Sequence, residues 1–214
     1  PGVLVLVAGL LVPVPALAGE RVVAVGDLHG DLAGAVQVLH MAGVVDAQAH
    51  WIAGDTTLVQ TGDTTDRGPD SKAVMDLMRR LEAEASEAGG RVVCLLGNHE
   101  IMNLQGDWRY VSPGDVRAFG GAEARKRALS RDGAYGAWLA ELDVAARVGD
   151  AVFVHGGLEP RWARLGLDTL NQQVRAALRG GPPEILGSDG PVWSRDLVRD
   201  AEAEACADLG DSLS

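Results

Sequence analysis

Val22-Val23-Ala24-Val25-Gly26-Asp27-Leu28-His29-Gly30-Asp31 passes without a break from four apolar residues into a cluster of Gly, Asp and His. Consecutive apolar, mostly β-branched residues suit a strand buried on both faces, as in a parallel sheet covered by helices. Asp27 and His29 are two positions apart, so in extended chain just past a strand end their side chains can point to the same side. The same order recurs three times. Thr57-Leu58-Val59-Gln60 reads as a strand running into Gly62-Asp63, and residues 91–96 read as another running into Gly97-Asn98-His99-Glu100. Ala151-Val152-Phe153-Val154 is the last clear strand and meets His155-Gly156-Gly157.

Helical patterns separate these strands. Leu32, Val36 and Leu39 mark a weak one after the first strand. Gly68-Pro69 is expected to open a better one, with Val74, Leu77, Met78 and Leu81 at spacings of three and four and Gly89-Gly90 as its end. Residues 115–129 and 135–142 carry helix-like faces that include Phe119, Trp138, Leu139 and Leu142, so about 102–148 reads as a helical insertion near the site. Gly180-Gly181-Pro182-Pro183 reads as a turn or loop, and residues 201–214 as an exposed tail. Strand–helix alternation of this kind predicts an α/β fold, with ligands gathering at the strand ends.

The chain has 214 residues, 47% apolar and 23% charged, which is enough for one domain with a sizeable core. A formal net charge of -11 disfavours nucleic acid as a partner. It does not exclude a phosphorylated one, because bound cations reverse the local potential. The first eighteen residues carry no charge; the apolar run 3–12 leads to Pro13, Pro15 and Ala16-Leu17-Ala18-Gly19. That pattern reads as an incomplete secretory signal over 1–18, with the mature domain spanning 19–214. The expected location is then periplasmic or secreted, or cytoplasmic if the segment is instead a buried first strand. A stable membrane span, which needs about 20 apolar residues, is not expected. Cys94 sits in an apolar strand and reads as a buried thiol, while Cys206 lies in an acidic, Ala-rich tail. His40 and His50 read as surface or packing residues.

Asp27, His29, Asp63, Asn98, His99 and His155 together offer the oxygen and imidazole donors that suit manganese, iron or zinc. An Asp can bridge two such ions and offset their mutual repulsion. Each element alone is ordinary turn chemistry, whereas four strand ends presenting the same residue types point to a metal centre.

The ordered motifs Gly26-Asp27-Leu28-His29-Gly30, Gly62-Asp63-Thr64-Thr65-Asp66-Arg67-Gly68, Gly97-Asn98-His99-Glu100 and His155-Gly156-Gly157 resemble the phosphoprotein-phosphatase branch of the calcineurin-like metallophosphoesterases. The stretch Glu100-Ile101-Met102-Asn103-Leu104-Gln105-Gly106-Asp107-Trp108-Arg109-Tyr110-Val111 is similar to the bacterial Shewanella-like protein phosphatases in particular. The resemblance implies a metallophosphatase fold, a β-sheet sandwich flanked by helices. It also implies that Asp27 and His29 hold one ion, that Asp63 bridges, and that Asn98 and His155 hold a second. His99 would act as a general acid oriented by Asp66, and Arg67 would grip phosphate oxygens. Val192-Trp193-Ser194-Arg195-Asp196 resembles the region that supplies a second phosphate-binding arginine, here Arg195. Read without the family, Arg67 could pair with Asp66 or Asp70, and Arg195 could form an ordinary ion pair.

The implied activity is hydrolysis of phosphate monoesters on a peptide or small molecule, by direct attack of an activated water on phosphorus. Two divalent ions about 3.5–4 Å apart, manganese first among them, would activate that water. Phosphotyrosine is the favoured substrate; dinucleoside-polyphosphate hydrolysis and a non-catalytic metal- or phosphate-binding module are the alternatives. One departure stands out. The family pattern has a further second-metal histidine in a downstream Gly-His motif, and residues 199–214 contain no His. The expectation is a chain that lacks the C-terminal strands of the fold, the alternative being a lost ligand.

Overall fold

A computed structural model describes residues 21–196. The signal-like segment 1–18, Cys206 and the acidic tail therefore lie outside the described residues. Three parallel strands, β1 (Val22–Val25), β2 (Thr57–Gln60) and β3 (Arg91–Cys94), form one sheet in the order β1-β2-β3. Register is continuous across it, with Val25 opposite Gln60 and Gln60 opposite Cys94, so the three strand ends finish level. The central strand β2 is buried along its whole length. Its neighbours Leu58 and Val59 enter different core clusters, as the two-residue period of a strand requires.

Crossovers between parallel strands need helices. Helix α1 (Leu32–Met41) joins β1 to β2, and its first turn is capped by the Asp31 carboxylate, which accepts from the Gly34 N–H at 2.9 Å. Helix α2 (Ser71–Glu87) joins β2 to β3 and buries Val74, Leu77, Met78 and Leu81 as its period predicts, with Met75 and Ala85 besides. Burying each such side chain contributes on the order of 1.5–3 kcal/mol before entropy is counted. The helix begins later than expected: Asp70 is its N-cap, and Pro69 stands outside the first turn. Gly89, at φ +81°, closes it.

Residue 95 leaves the strand geometry expected through 96. Leu95 pairs with Asp143 in a single parallel bridge, and the Leu96 N–H donates to the Asp143 carbonyl at 2.8 Å. That bridge joins the parallel sheet to an antiparallel hairpin of β4 (Ala145–Val148) and β5 (Ala151–Val154). Between β3 and β4 lie α3 (Asn98–Leu104), α4 (Pro113–Ala118), α5 (Ala122–Leu129) and α6 (Gly136–Leu139). The helical face over 115–129 is thus split, because Gly120 and Gly121 adopt φ +84° and +115° and end α4. After β5 come α7 (Pro160–Ala163) and α8 (Leu167–Leu178). Asn171 of α8 accepts from the Val144 and Ala145 N–H groups at 3.0 and 3.2 Å, which ties that helix to the start of β4.

The core lies in layers. Leu39, Val45, Leu58, Met78 and Leu81 pack α1 and α2 against the parallel sheet. A larger cluster including Leu96, Ile101, Leu139, Val144, Leu170 and Val174 holds the later helices and the hairpin. Among the described residues no helix is long and apolar enough to cross a membrane.

Candidate metal centre

Four loops meet beyond the ends of β1, β2, β3 and β5. Glycine makes their approach possible. Gly62, at φ +102°, lies so close to Gly97 that a Cβ on it would meet the Gly97 nitrogen at 2.5 Å, and a Cβ on Gly97 would collide with the Asp63 carboxylate. The backbone is also bent by residues that rarely tolerate it: His29 (φ +43°), Asp63 (+57°), Asp66 (+69°) and Arg67 (+63°) are four of the five non-glycine residues with positive φ among those described. Each such position costs about 1–2 kcal/mol and persists only where surrounding bonds enforce it.

Glu100 supplies much of that enforcement. Its buried carboxylate accepts from the N–H groups of Gly97 (2.9 Å), Asp63 (2.7 Å), Thr64 (2.9 Å) and Thr65 (3.1 Å). It also accepts from the hydroxyls of Thr64 and Thr65, at 2.9 and 3.1 Å. The bond to Gly97 is the reciprocal half of a helix-capping arrangement, since Gly97 precedes α3. Asn98 and His99 therefore sit in the first turn of a helix rather than in a free loop.

The Asp63 side chain is the hub. Its Oδ1 accepts from the His99 backbone N–H at 3.0 Å. Its Oδ2 faces three imidazoles: His155 Nε2 at 3.4 Å, His29 Nε2 at 3.6 Å and His99 Nε2 at 3.9 Å. Asp27 stands on the outer side, its Oδ2 3.4 Å from His29 Nε2 and its Oδ1 3.9 Å from His155 Nδ1. Asn98 Oδ1 lies 2.9 Å from His155 Nε2. Two imidazoles are oriented from behind by main-chain carbonyls: His29 Nδ1 by Thr65 at 3.0 Å and His155 Nδ1 by Thr61 at 3.1 Å. That leaves Nε2 of each turned toward Asp63, the arrangement by which proteins fix a ligating histidine.

Two groups of donor atoms result, each with its atoms within 4.8 Å of one another: Asp27, Asp63 and His155, and His29, Asp63 and His99. They share Asp63 and are consistent with a dinuclear centre. The donor set fits hard-to-borderline divalent ions. Electrostatics agree: burial, reinforced by the Glu100 carboxylate, pushes Asp63 up to about 7, and a cation beside it would favour the ionised form. Burial also holds His155 below the ordinary imidazole value, which keeps it a neutral donor.

His99 differs. Its Nδ1 lies 2.9 Å from Asp66 Oδ2, and its ring stands edge-on to His29 at 4.7 Å and tilted toward Tyr110 at 5.0 Å. Burial lowers its basicity, but the bond to Asp66 and the nearby carboxylates outweigh that and raise it above the usual value. Asp66 Oδ1 in turn accepts from Asn103 Nδ2 at 3.0 Å and Arg125 at 3.2 Å.

The two arginines lie at the margin. Arg67 is exposed, with its guanidinium 5.8 Å from the centre of the Tyr110 ring, and its N–H donates to the Tyr110 carbonyl at 2.9 Å. Arg195 lies against Gly156, one residue from His155, while its NH1 donates to the carbonyls of Val192 (3.3 Å) and Ser194 (3.0 Å). Arg109 is held by Asp107, and His50 by Glu84 at 3.0 Å. Sequence reasoning gave no role to Glu100, Asn103, Tyr110 or Arg125. The position of Glu100 three residues after Gly97 is a capping signal that could have exposed the first of these.

Comparison with known proteins agrees with this geometry. An uncharacterized protein of Schizosaccharomyces pombe is 41% identical over 201 residues, covering 86% of this chain and 60% of its own length. Shewanella-like protein phosphatase 2 of Arabidopsis thaliana is 34% identical, covering 91% of this chain and 63% of its own. The crystal structure of the cold-active protein-tyrosine phosphatase of a psychrophilic Shewanella species superposes with a TM-score of 0.80 at 27% identity, covering 90% of this chain and 62% of that one. The chain thus spans about three fifths of the length of these relatives. Residues 20–209 match the calcineurin-like phosphoesterase family, and with four strand-end loops converging on Asp63 the chain belongs to that family, closely related to the Shewanella-like protein phosphatases.

Proposed function

We propose that this chain carries the catalytic centre of a metal-dependent phosphomonoester hydrolase acting on phosphorylated protein, with phosphotyrosine as its preferred target. The observation that carries the reading is the pairing of two arrangements a few ångströms apart: a carboxylate hub facing three imidazoles, and an imidazole backed by its own buried carboxylate. Asp27, His29 and Asp63 would hold one divalent ion, and Asp63, Asn98 and His155 a second. When bound, such ions supply charge neutralisation and an activated water for in-line displacement at phosphorus. Manganese is the ion we favour, iron or zinc being compatible with the same donors.

His99 is assigned proton donation to the departing oxygen. Its Nε2 is the farthest of the three from the Asp63 Oδ2, and its Nδ1 is bound to the Asp66 side chain. A positioned donor of this kind accelerates departure of a poor leaving group by about 10²–10⁴-fold. Arg67, beside Tyr110, and Arg195, against Gly156, would grip phosphate oxygens through their planar forks. Tyr110 is 44% exposed, its ring lies beside His99 and Arg67, and it offers an aromatic wall to an aryl leaving group, which supports phosphotyrosine. We further propose export, on the strength of the uncharged apolar segment at residues 1–18.

The test is manganese-dependent phosphate release from a phosphotyrosine peptide, alongside a phosphoserine peptide and diadenosine tetraphosphate, with Asp63→Asn as control. Faster release from the phosphotyrosine peptide, abolished in the variant, is expected. Preferential cleavage of the dinucleotide would replace the proposed substrate. Tight manganese binding without turnover of any of the three would reduce the chain to a binding module.

A further inference from the structure

Arg125 on α5 is fully buried, and it reaches back 59 positions in sequence to the site. Its NH2 donates to Asp66 Oδ1 at 3.2 Å and its Nε to Asp115 Oδ2 at 2.7 Å, both carboxylates being fully buried as well. The rings of Trp108 and Phe119 stand 5.4 and 5.7 Å from the guanidinium carbon and shut out water. Buried ion clusters of this kind are a poor route to stability, since apolar side chains of similar volume commonly serve as well or better. Its geometry suggests another use.

Asp66 has two oxygens with separate tasks. Oδ2 meets His99 Nδ1 at 2.9 Å, and Oδ1 receives Asn103 at 3.0 Å and Arg125 at 3.2 Å, while the Asp66 N–H donates to Ser71 Oγ at 3.0 Å. A carboxylate held through one oxygen can swing about its terminal torsion; donors on both oxygens fix its plane. We propose that Arg125 is a positioning residue for His99: by locking the Asp66 carboxylate it keeps the imidazole turned toward the departing oxygen of the substrate. The inference rests on the proton-donor role given to His99 above. It follows that the segment between β3 and β4 completes the site through Arg125, although that residue is remote from the metal-binding side chains in sequence.

A positioning role predicts selectivity that a packing role does not, because only poor leaving groups need a proton. Arg125→Met, Arg125→Lys and His99→Asn should be compared in the manganese-loaded chain on phenyl phosphate and 2,4-dinitrophenyl phosphate. Arg125→Met should slow phenyl phosphate about tenfold or more, in kcat rather than KM, and leave the dinitrophenyl ester within about twofold. Arg125→Lys should show the same selectivity in weaker form, and carries the test if the Met variant does not fold. In parallel, in the metal-free chain, where no paramagnetic ion broadens the signal, the far-downfield proton resonance of His99 Nδ1–H, identified by its loss in His99→Asn, should broaden or vanish in Arg125→Met at unchanged circular dichroism. This second readout decides the matter even where turnover is too slow to measure. Equal losses on both esters, or an unaltered resonance, overturn the proposal. Selectivity in His99→Asn but not in the Arg125 variants would leave the acid role standing and make Arg125 structural; no selectivity in His99→Asn would remove the acid role itself.

Discussion

Asp63 and Asp66 lie three residues apart in one loop, both buried and both in left-handed backbone, yet their surroundings are opposite. Asp63 Oδ2 is ringed by imidazole nitrogens at 3.4–3.9 Å, beyond good hydrogen-bond reach, and burial and Glu100 push its ionisation up to about 7. Asp66 has close partners on both oxygens, at 2.9, 3.0 and 3.2 Å. The first is a carboxylate with room for cations among its neighbours; the second is already saturated by the protein. On the roles proposed above, one loop would separate metal holding from proton handling by what stands behind each side chain rather than by residue type.

Paired substitutions break or sharpen that contrast. Asp63→Asn should remove metal-dependent hydrolysis and lower bound manganese to less than one ion per chain, as measured by elemental analysis. Asp66→Asn should keep its metal content while losing about 10²–10³-fold in kcat on phenyl phosphate. Equal metal loss in both would erase the distinction. Next in size is Glu100→Ala, which strips acceptors from four backbone N–H groups and two hydroxyls in the buried loop. It should lower the unfolding free energy by about 4 kcal/mol or more, read from urea midpoints, because buried donors left unpaired cost about 1–3 kcal/mol each. A loss below about 1 kcal/mol would show that water replaces the carboxylate freely.

The smallest effect is a pH slope in the metal-free protein. Asp63 at about 7 stands above the 3.8 of an unfolded chain, so between those pH values the unfolded chain binds fewer protons than the folded one. Stability from this group is full below about pH 4 and is lost as pH rises to 7, an effect of about 2 kcal/mol once relaxation of the loop is allowed for. Thermal midpoints measured from pH 4 to 8 should fall more steeply in the native chain than in Asp63→Asn, and added manganese should flatten the difference. Parallel curves without metal would mean the loop relaxes enough to solvate the carboxylate.

Legibility followed physical range. Asp27, His29, Asp63, Asn98 and His155 each stand just past an apolar strand, so a local change from apolar residues to Asp, Asn and His announces them, and the structure gathers all five. Helix α2 was legible for a similar reason, since Val74, Leu77, Met78 and Leu81 repeat at the helical period. The split between α4 and α5 was written in Gly120-Gly121, but the apolar pattern over 115–129 masked it. Arg125 was not legible. On a charged stretch, Glu123 to Arg127, it looks like solvent-facing helix, and only tertiary structure turns it toward Asp66. Periodicity reports which faces pack; a polar pair formed across 59 positions leaves no period to find.

The single bridge between Leu95 and Asp143 has a mechanical consequence. On one side of that seam the parallel strands carry Asp27, His29 and Asp63; on the other the hairpin carries His155, which reaches back to Asn98 and Asp63. Ions shared between those side chains would span the seam as a rivet spans a joint. Ligand occupancy and cohesion of the two halves are then thermodynamically linked, so saturating metal at about 1,000 times its dissociation constant would add about 4 kcal/mol against their separation. Amide exchange at the hairpin should slow on loading, which would make the centre a fastener of the sheet in addition to the role proposed for it above.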